Sequence, residues 1–395
     1  MRIGINCLRL DPEYVGGLNT YTLGLVQGFA TVGNGHTFHL YGTDRNRTLF
    51  RQFEKDRRFI FKAIRETDFC SRQRISRAAL LSTNSNFFRH VSNKLYRDLR
   101  KRMDEEVDLI YTPTDLLQAF DYHKPTVLSM HDLQHIHYPQ FFSWARRLSR
   151  RITYSLSARV ATCLQASSQF VRQDLLSQFA DLRPEKVHVI PEGVDVEVFS
   201  TRRDASRLAS LYGLPSRFLL YPAQLWPHKN HITLLRGLKY LELNAGLRIP
   251  LVLTGAQFGA ARSLLRFIAD QKMSYVFYLG KVPVQDLVEL FQSATFLICA
   301  SLFESSSLPI LEAAAASTPI IASRIPANLE HAQVLQLNLF DPLDHLDLAR
   351  TILSMWNDHA SARAQAAHNR EQINRFTWEN AARKYLSLFE ATITN

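Results

Sequence analysis

Short apolar runs alternate with longer amphipathic stretches along most of the chain, a pattern typical of parallel sheets covered by helices. In the first half the predicted strands are Arg2–Cys7, Thr37–Tyr41, Leu109–Tyr111, Thr126–Met130, Arg159–Leu164 and Val187–Ile190. A turn-rich break follows at residues 191–195, and the alternation then restarts. In the second half the predicted strands are Phe218–Tyr221, Pro250–Thr254, Tyr275–Leu279, Thr295–Cys299 and Pro319–Ala322.

The break predicts an α/β chain of two doubly wound, Rossmann-like domains, residues 1–195 and 196–375, with a final helix at 376–395. Ligands of such sheets bind at the carboxyl ends of the strands, so we expect the active site in a central cleft that the two domains face. A length of 395 residues suits two domains, and 46% hydrophobic with 21% charged residues is typical of a globular enzyme.

The chain has no run of about 18 apolar residues that would predict a membrane helix. Its first residues do not resemble a signal peptide, because charged residues follow a short apolar strand. The four cysteines (Cys7, Cys70, Cys163 and Cys299) are scattered, which favours reduced thiols. We therefore expect a cytoplasmic protein.

The net charge of +11 is concentrated in one stretch. Residues 45–102 contain 17 Lys or Arg and five Asp or Glu, a surplus of 12. Residues 45–105 are interpreted as an insertion of helices and loops in the first domain. The charge fits a solvated helical face, a phosphorylated substrate or an anionic membrane surface, which attracts basic segments by about 1 kcal/mol per residue. Nucleic acid is not expected, because no recognition motif accompanies the charge.

Two carboxylates flank a predicted helix start in the second domain. A strand ends near Ala300, a polar loop contains Glu304, and a helix begins near Leu308 with Glu312 about one turn further on. Helix starts bind phosphate through unpaired amides and the helix dipole. The arrangement suits a nucleotide sugar, with one carboxylate on sugar hydroxyls and the other on ribose. The alternative is that Glu304 only caps the helix and Glu312 is only exposed.

Two further loops supply candidate phosphate contacts. Lys229 follows the first strand of the second domain, where a lysine can neutralise a diphosphate, although a loop lysine is often only solvated. Gly16 and Gly17 open the first helix and permit close approach of a phosphate or sugar. The G-x-G-x-x-G spacing is missing, which counts against a nicotinamide or flavin enzyme.

Histidines follow the strand Thr126–Met130. His131 lies at the carboxyl end of this strand, where a catalytic or a structural role is open. His135 and His137 have no carboxylate or thiol at ligand spacing, and the chain has no Asp-x-Asp pair. No metal site is therefore expected.

These segments, in this order, resemble the family 4 retaining glycosyltransferases of the GT-B fold over nearly the whole chain. The matching segments are Gly16-Gly17, Val189–Asp195, Lys229-Asn230, Leu279–Val282, Glu304 to Glu312, Pro319–Ser323 and the final helix with Phe376 and Trp378. The variant Trp226–His231 looks most like the members that build bacterial polysaccharides, often with mannose donors.

The resemblance implies roles for individual residues. Lys229 would hold the donor diphosphate, Glu304 the sugar hydroxyls and Glu312 the ribose, while His131 would approach the transferred sugar. Other implied donor contacts are the amides of Ser307 and Leu308 with Gly16 and Gly17 at the distal phosphate, and Lys281 and Val282 beside the base. The last helix would pack against the first domain.

Two departures concern the donor site. Gln224 stands where the family usually has arginine, so one positive charge on the diphosphate is missing. Ser305, Ser306 and Ser307 replace the usual Gly-Phe-Gly.

The resulting hypothesis is retaining transfer of a hexose from a nucleotide sugar, GDP-mannose before UDP-hexoses, without a further cofactor. The acceptor would be a saccharide, with a polyprenyl-diphosphate-linked one suggested by the basic stretch, at the inner face of the membrane. The alternatives are a sugar-nucleotide epimerase of the same architecture and a catalytically silent sugar- or lipid-binding subunit.

Overall fold

The computed structural model describes residues 1–13, 16–80, 84–201 and 206–394. The chain forms two compact units: unit 1 comprises Met1–Glu192 with Trp378–Asn395, and unit 2 comprises Gly193–Thr377. The boundary lies within three residues of the predicted domain limit at residue 195.

Unit 1 contains a parallel sheet with helices on its faces. Its strands are β1 (Arg2–Asn6), β2 (Thr37–Thr43), β3 (Phe59–Ile64), β4 (Leu109–Thr112), β5 (Thr126–Ser129), β6 (Cys163–Ala166) and β7 (Val187–Val189). Its helices up to residue 192 are α1 (Gly17–Val32), α2 (Glu66–Leu80), α3 (Ser85–Leu95), α4 (Arg97–Glu106), α5 (Gln134–His137), α6 (Trp144–Val160) and α7 (Gln169–Gln178). Short 3-10 segments lie at Asn46–Phe53, Pro139–Phe141 and Pro184–Lys186.

Unit 2 repeats this alternation. Its strands are β8 (Leu219–Pro222), β9 (Leu251–Thr254), β10 (Val276–Gly280), β11 (Phe296–Cys299), β12 (Ile320–Ser323) and β13 (Asn338–Phe340). Its helices are α8 (Val196–Ser200), α9 (Ser206–Tyr212), α10 (His231–Ala245), α11 (Ala261–Asp270), α12 (Val284–Ser293), α13 (Leu308–Ala315), α14 (Pro326–His331), α15 (His345–Asn357) and α16 (His359–Gln372). The 3-10 segments are Pro227–Lys229 and Ile373–Arg375, and α17 (Trp378–Thr394) returns to unit 1.

Both sheets are parallel throughout and have the strand order of a Rossmann fold. The order is β3-β2-β1-β4-β5-β6-β7 in unit 1 and β10-β9-β8-β11-β12-β13 in unit 2. The central strands are almost entirely buried, as expected where helices cover both faces. In each unit the strand order reverses beside the first strand, between β1 and β4 and between β8 and β11. These two switch points are where ligands bind in open α/β sheets.

The predicted fold class is confirmed, with three local corrections. Two edge strands were missed, β3 and the three-residue β13; edge strands pair on one side only and carry fewer buried residues. The predicted strand Arg159–Leu164 is wrong at its start, because α6 continues to Val160 and the strand β6 begins at Cys163.

The basic stretch is more than the predicted insertion of helices and loops, since β3 within it forms the sheet edge along the whole of β2. Several Lys and Arg side chains of residues 45–102 pair with carboxylates outside these residues, which reduces the local surplus of positive charge. These ion pairs are Arg45–Asp11 (3.2 Å), Lys62–Glu106 (3.2 Å), Arg100–Asp104 (3.4 Å) and Arg102–Glu106 (3.0 Å).

The last helix, α17, packs closely against α1. A Cβ placed on Gly24 would lie 2.1 Å from Trp378 Cε2, and one on Gly28 would lie 2.3 Å from the Trp378 carbonyl oxygen. Further along, the hydroxyl of Tyr385 joins those of Tyr21 and Tyr111 in a buried cluster. Glycine therefore sets the distance between these helices, and the hydroxyl cluster ties α17 to α1 and β4.

In the described part of the chain, we find no helix that is both long and apolar enough to cross a membrane.

Replacing Gly28 by alanine tests this helix contact. We expect Gly28→Ala to lower the free energy of unfolding by about 1–3 kcal/mol, because the added methyl would lie 2.3 Å from the Trp378 carbonyl oxygen and backbone must shift to admit it. The same change at Gly17, where a Cβ meets nothing within 4 Å, is the control and is expected to leave stability within about 0.5 kcal/mol. Urea unfolding followed by circular dichroism measures both, and equal stabilities would contradict the packing argument.

Candidate active site

The loops after β8 and β11 meet at the switch point of unit 2. Lys229 Nζ donates to Glu304 Oε1 at 2.5 Å, and the two side chains are 20% and 17% exposed. Ser301 Oγ donates to the same carboxylate oxygen at 2.5 Å. The structure thus brings together the lysine and the glutamate that were singled out in separate loops, 75 residues apart in sequence.

Asn230 joins the loop that contains Lys229 to the neighbouring loops at the carboxyl edge of the sheet. It is buried and adopts a left-handed backbone conformation with φ of 55°. Its Nδ2 donates to Ala300 O at 3.1 Å and to Pro342 O at 2.8 Å, while its Oδ1 accepts from Thr233 Oγ1 at 2.8 Å. One side chain therefore joins the loops after β8, β11 and β13.

Tyr221 fixes the backbone of the lysine itself. Its hydroxyl donates to Lys229 O at 2.6 Å and lies 3.1 Å from Ser301 Oγ. The Leu302 amide donates to His228 O at 2.7 Å, which adds a direct link between the two loops. With both loops held, only the outer part of the Lys229 side chain can move toward a ligand without breaking backbone contacts.

The start of α13 is not capped by a side chain. Ser307 is the N-cap residue, but its Oγ donates to Asn328 Oδ1 at 2.6 Å instead of accepting from the helix. Pro309 lies in the first turn. The alternative that Glu304 caps this helix does not match the structure, because its carboxylate accepts from Lys229 and Ser301 instead.

His331, on α14, lies behind the Ser307 loop. The Ser307 amide points at His331 Nε2 at 3.5 Å, the long end of hydrogen-bond geometry. Burial lowers the pKa of His331 to about 4, so the ring is neutral near pH 7. A neutral ring that accepts at Nε2 carries its proton on Nδ1. The amide of Ser307, a predicted phosphate contact, is therefore shared with a buried histidine in this structure.

The other predicted donor residues of unit 2 lie along the same carboxyl edge. Gln224 follows β8, and its Oε1 accepts from Trp226 Nε1 at 2.9 Å. Lys281 and Val282 follow β10, two strands from β8 and so roughly 10 Å along the edge. Glu312 is partly buried in the second turn of α13, which begins at Leu308.

The candidate residues of unit 1 also lie at the carboxyl edge of their sheet. Gly16 is the N-cap of α1 and offers no side-chain cap, and the space beside Gly17 is open. The backbone amide of His131 donates to Asp115 Oδ1 at 2.7 Å, and its Nε2 lies 2.9 Å from Pro113 O. Because a carbonyl oxygen only accepts, Nε2 carries a proton, and a neutral ring would have its lone pair on Nδ1.

Among the described residues, no three His, Cys, Asp or Glu side chains form a group that could hold a metal ion. The fold does supply a carboxylate that sequence spacing missed, since His137 Nε2 bonds Asp174 Oδ2 at 2.8 Å. Burial lowers the pKa of the neighbouring His135 to about 4.

Four supporting residues were not singled out from the sequence: Tyr221, Ser301, Asn328 and His331. Tyr221 lies near the end of β8, and Ser301 follows β11. Ligands of such sheets bind at the carboxyl ends of the strands, so this position could have indicated both residues. Asn328 and His331 come from the helix after the next strand, β12, and no local pattern marks them.

The hydrogen bonds of the Asn230 side chain can be tested by a substitution that keeps the shape of the side chain. Asn230→Asp places a carboxylate oxygen against two carbonyl oxygens, so we expect unit 2 to lose about 2–4 kcal/mol of stability. Denaturant unfolding measures this loss. The control is Asn244→Asp, whose amide donates to a single carbonyl on the exposed end of α10. Equal losses of stability in the two variants would show that the Asn230 hydrogen bonds stabilise unit 2 no more than the single bond of Asn244 does.

Acid should destabilise the protein through His331. Its pKa is about 4 in the folded chain but near 6.5 when unfolded, so only the unfolded state binds a proton between these values. The contribution of neutral His331 is complete above pH 6.5 and is lost as the pH falls toward 4, by up to about 1.4 kcal/mol per pH unit. Stability measured at pH 7 and pH 5 should therefore differ less in His331→Gln than in the parent chain. His359→Gln, on an exposed helix start, should keep the parent difference; a parent-like difference in His331→Gln would refute this assignment.

Comparisons with known proteins agree with this fold. The sequence model described as Glycosyltransferase Family 4 matches residues 15–198, and the one described as Glycosyl transferases group 1 matches residues 206–372. The crystal structure of Anabaena Alr3699/HepE in complex with UDP and glucose aligns with a TM-score of 0.77 at 18% identity, over 99% of this chain and 100% of that one.

Two curated relatives come from Escherichia coli. The serotype-specific mannosyltransferase WbdA is 28% identical over 228 residues, which cover 56% of this chain and 28% of that protein. The O-antigen chain mannosyltransferase B is 27% identical over 175 residues, 44% of this chain and 45% of that protein. The chain thus spans less than half the length of either relative. The two family matches, one largely on each unit, and the shared fold show that the chain belongs to the family 4 glycosyltransferases of the GT-B fold.

Proposed function

We propose that the protein transfers a hexose from a nucleotide diphosphate sugar to a hydroxyl of a saccharide acceptor, with retention at the anomeric carbon, in the synthesis of a cell-surface polysaccharide. The observation that carries this proposal is the Lys229–Glu304 pair at the switch point of unit 2, beside an uncapped helix start. A cation, a carboxylate and the amides of a helix start are the groups that a diphosphate joined to a sugar requires.

Mannose is the sugar that we favour, with GDP-mannose as the donor. The names of the two Escherichia coli relatives support mannose. UDP-hexoses are the second choice, because the aligned HepE structure contains UDP and glucose.

In this proposal the diphosphate displaces Glu304 as the partner of Lys229 Nζ. The displaced carboxylate then accepts hydrogen bonds from sugar hydroxyls, while Glu312 holds the ribose and Lys281 and Val282 lie beside the base. The amides of Ser307 and Leu308 receive the distal phosphate. The roles of Gly16 and Gly17 at a phosphate and of His131 at a sugar stay predictions from the resemblance.

The reaction breaks the bond between the anomeric carbon and the phosphate oxygen, and the electron pair leaves with the nucleoside diphosphate. The acceptor oxygen forms the new bond on the same face of the sugar, and its proton passes to the departing phosphate oxygen. Lys229 and the α13 amides stabilise the negative charge that develops there, which is the main catalytic contribution of the chain in this scheme. No side chain is assigned as a nucleophile.

A lipid-linked acceptor and a peripheral position on the inner face of the cytoplasmic membrane complete the proposal. The surplus of Lys and Arg between residues 45 and 102 supports both, since anionic lipid attracts basic segments. The ion pairs in this stretch leave fewer charges for such a surface than the composition suggests.

Removing the Lys229 charge should slow transfer. We expect Lys229→Ala to lower the rate of nucleoside diphosphate release by about 10²–10³, the usual loss for one preorganised charge at a transition state. Release is measured with GDP-mannose and a panel of UDP-hexoses, each with a saccharide acceptor, and nuclear magnetic resonance of the product reports the anomeric configuration.

Lys239→Ala is the matched control. Lys239 is about as buried as Lys229 and pairs with a carboxylate, Glu242, at 2.8 Å, but it lies on α10 and not in the candidate site. It should keep the parent rate. A parent rate in Lys229→Ala would remove this lysine from catalysis. No release from any donor would favour the silent binding subunit, and conversion of the donor without release would favour the epimerase.

A further inference from the structure

Two aromatic side chains stack beside the loop that contains Lys229. The indole of Trp226, in the loop after β8, lies against the ring of Phe258, in the loop after β9. The ring centroids are 4.1 Å apart, and the ring planes are within 7° of parallel. Stacked aromatic side chains stabilise one another by more than the area that they bury. Phe258 therefore holds the indole of Trp226 in one plane.

The indole nitrogen of Trp226 fixes the orientation of the Gln224 side-chain amide. Trp226 Nε1 donates to Gln224 Oε1 at 2.9 Å. An indole N–H can only donate, so the atom of the amide group that faces it has to be the oxygen. The amide nitrogen, Nε2, carries the two N–H donors of the group and is therefore turned away from the indole.

The backbone that carries Gln224 is held by the loop after β9. The Leu225 amide donates to Ala256 O at 3.0 Å, and the Ala260 amide donates to Leu225 O at 3.1 Å. Gly255 has a φ of +119°, and a Cβ at this residue would lie 2.8 Å from the backbone nitrogen of Gln224. Because only glycine fits there, the two loops pack closely and keep the Gln224 backbone in place.

Gln224 and Lys229 belong to one loop at the switch point of unit 2. The Trp226 amide donates to Gln224 O at 2.7 Å, and the Lys229 amide donates to Trp226 O at 3.1 Å, so short turns connect the three residues. A glutamine side chain has three rotatable bonds, and ordering it opposes the binding of a ligand. The hydrogen bond from Trp226 orders this side chain before a ligand binds.

We propose that Trp226 is a positioning residue for the donor: it holds Gln224 so that Nε2 donates to an oxygen of the donor diphosphate, while Lys229 supplies the positive charge. The ligand class, a nucleoside diphosphate, rests on the proposed function. A cation attracts phosphate over a distance, whereas a neutral amide acts only within hydrogen-bond range and in one direction. A glutamine in this loop therefore depends on a fixed orientation, which Trp226 and Phe258 provide.

A substitution that keeps the shape of Gln224 separates the two ends of its amide group. In Gln224→Glu one carboxylate oxygen can still accept from Trp226 Nε1, but the other oxygen replaces Nε2 and repels phosphate. We expect the dissociation constants of GDP and UDP, measured by titration calorimetry on the full chain, to rise at least about 100-fold. Gln257→Glu, at an exposed position in the loop after β9, is the control for an added charge and should change them by less than about threefold.

A double-mutant cycle tests whether Trp226 acts through Gln224. Trp226→Phe removes the indole N–H but keeps a ring to stack on Phe258. It should weaken GDP binding by about three- to tenfold, because the Gln224 amide becomes free to turn. In a Gln224→Ala background the same change should have no further effect. A tryptophan that only stabilises the loop would weaken binding in both backgrounds.

Inorganic diphosphate and a second tryptophan supply the controls for this cycle. Inorganic diphosphate should show the same losses as GDP in these variants, because the proposed contact involves no base. Trp356→Phe, at the other tryptophan of unit 2, should bind GDP like the parent chain. Circular dichroism checks that each variant is folded.

The outcomes are distinguishable. If Gln224→Glu bound GDP and UDP no more weakly than Gln257→Glu, or if the parent chain bound neither nucleotide, the proposal would be overturned. Equal effects of Trp226→Phe with and without the Gln224 side chain would also overturn it, and a loss with GDP but not with inorganic diphosphate would assign Trp226 to the base instead. Absence of hexose transfer alongside the expected binding losses would refute the proposed function and leave this inference intact.

Discussion

The candidate active site depends on how Asn230 joins three loops of unit 2. Parallel strands deliver their loops to one edge of the sheet, but do not fix the distance between side chains there. The Asn230 amide does so by bonding Ala300 and Pro342, at the cost of a left-handed backbone that L-residues rarely adopt. Lys229 precedes this residue and its carbonyl is held by Tyr221, so its side chain starts from a fixed position from which the ammonium contacts Glu304.

Sequence patterns were sufficient for the parts of the fold that repeat. Buried parallel strands are continuous apolar runs, and the order of the runs gave both sheets and the two residues at the switch point of unit 2. The patterns failed at edge strands, which are buried on one side only, and for side chains whose hydrogen-bond partners are distant in sequence. β3 lies in a basic stretch and is half exposed, while β13 is three residues long. The boundary at Arg159 failed because an apolar helix end and an apolar strand start are alike in composition.

The support of the Ser307 loop shows a second limit. Ser307 was predicted from a helix-start pattern, which is local, but its hydroxyl and amide go to Asn328 and His331 on another helix. A glycine at this place brings no hydroxyl, although its backbone amide is the same donor. Serine adds a hydroxyl that needs an acceptor behind the loop, and Asn328 Oδ1 is that acceptor. The departure from the family pattern is therefore matched by residues elsewhere in unit 2.

The two units share one topology but use their switch points differently. In unit 2 the loops after β8 and β11 are tied together by side chains, so the edge presents a compact charged pair suited to a diphosphate. In unit 1 the Asn6–Gln118 contact bridges the corresponding loops, and α2, α3 and α6 surround a cavity. A diphosphate needs fixed, closely spaced partners. The Lys229–Glu304 pair has this spacing, which is a physical reason for proposing that the donor binds at unit 2.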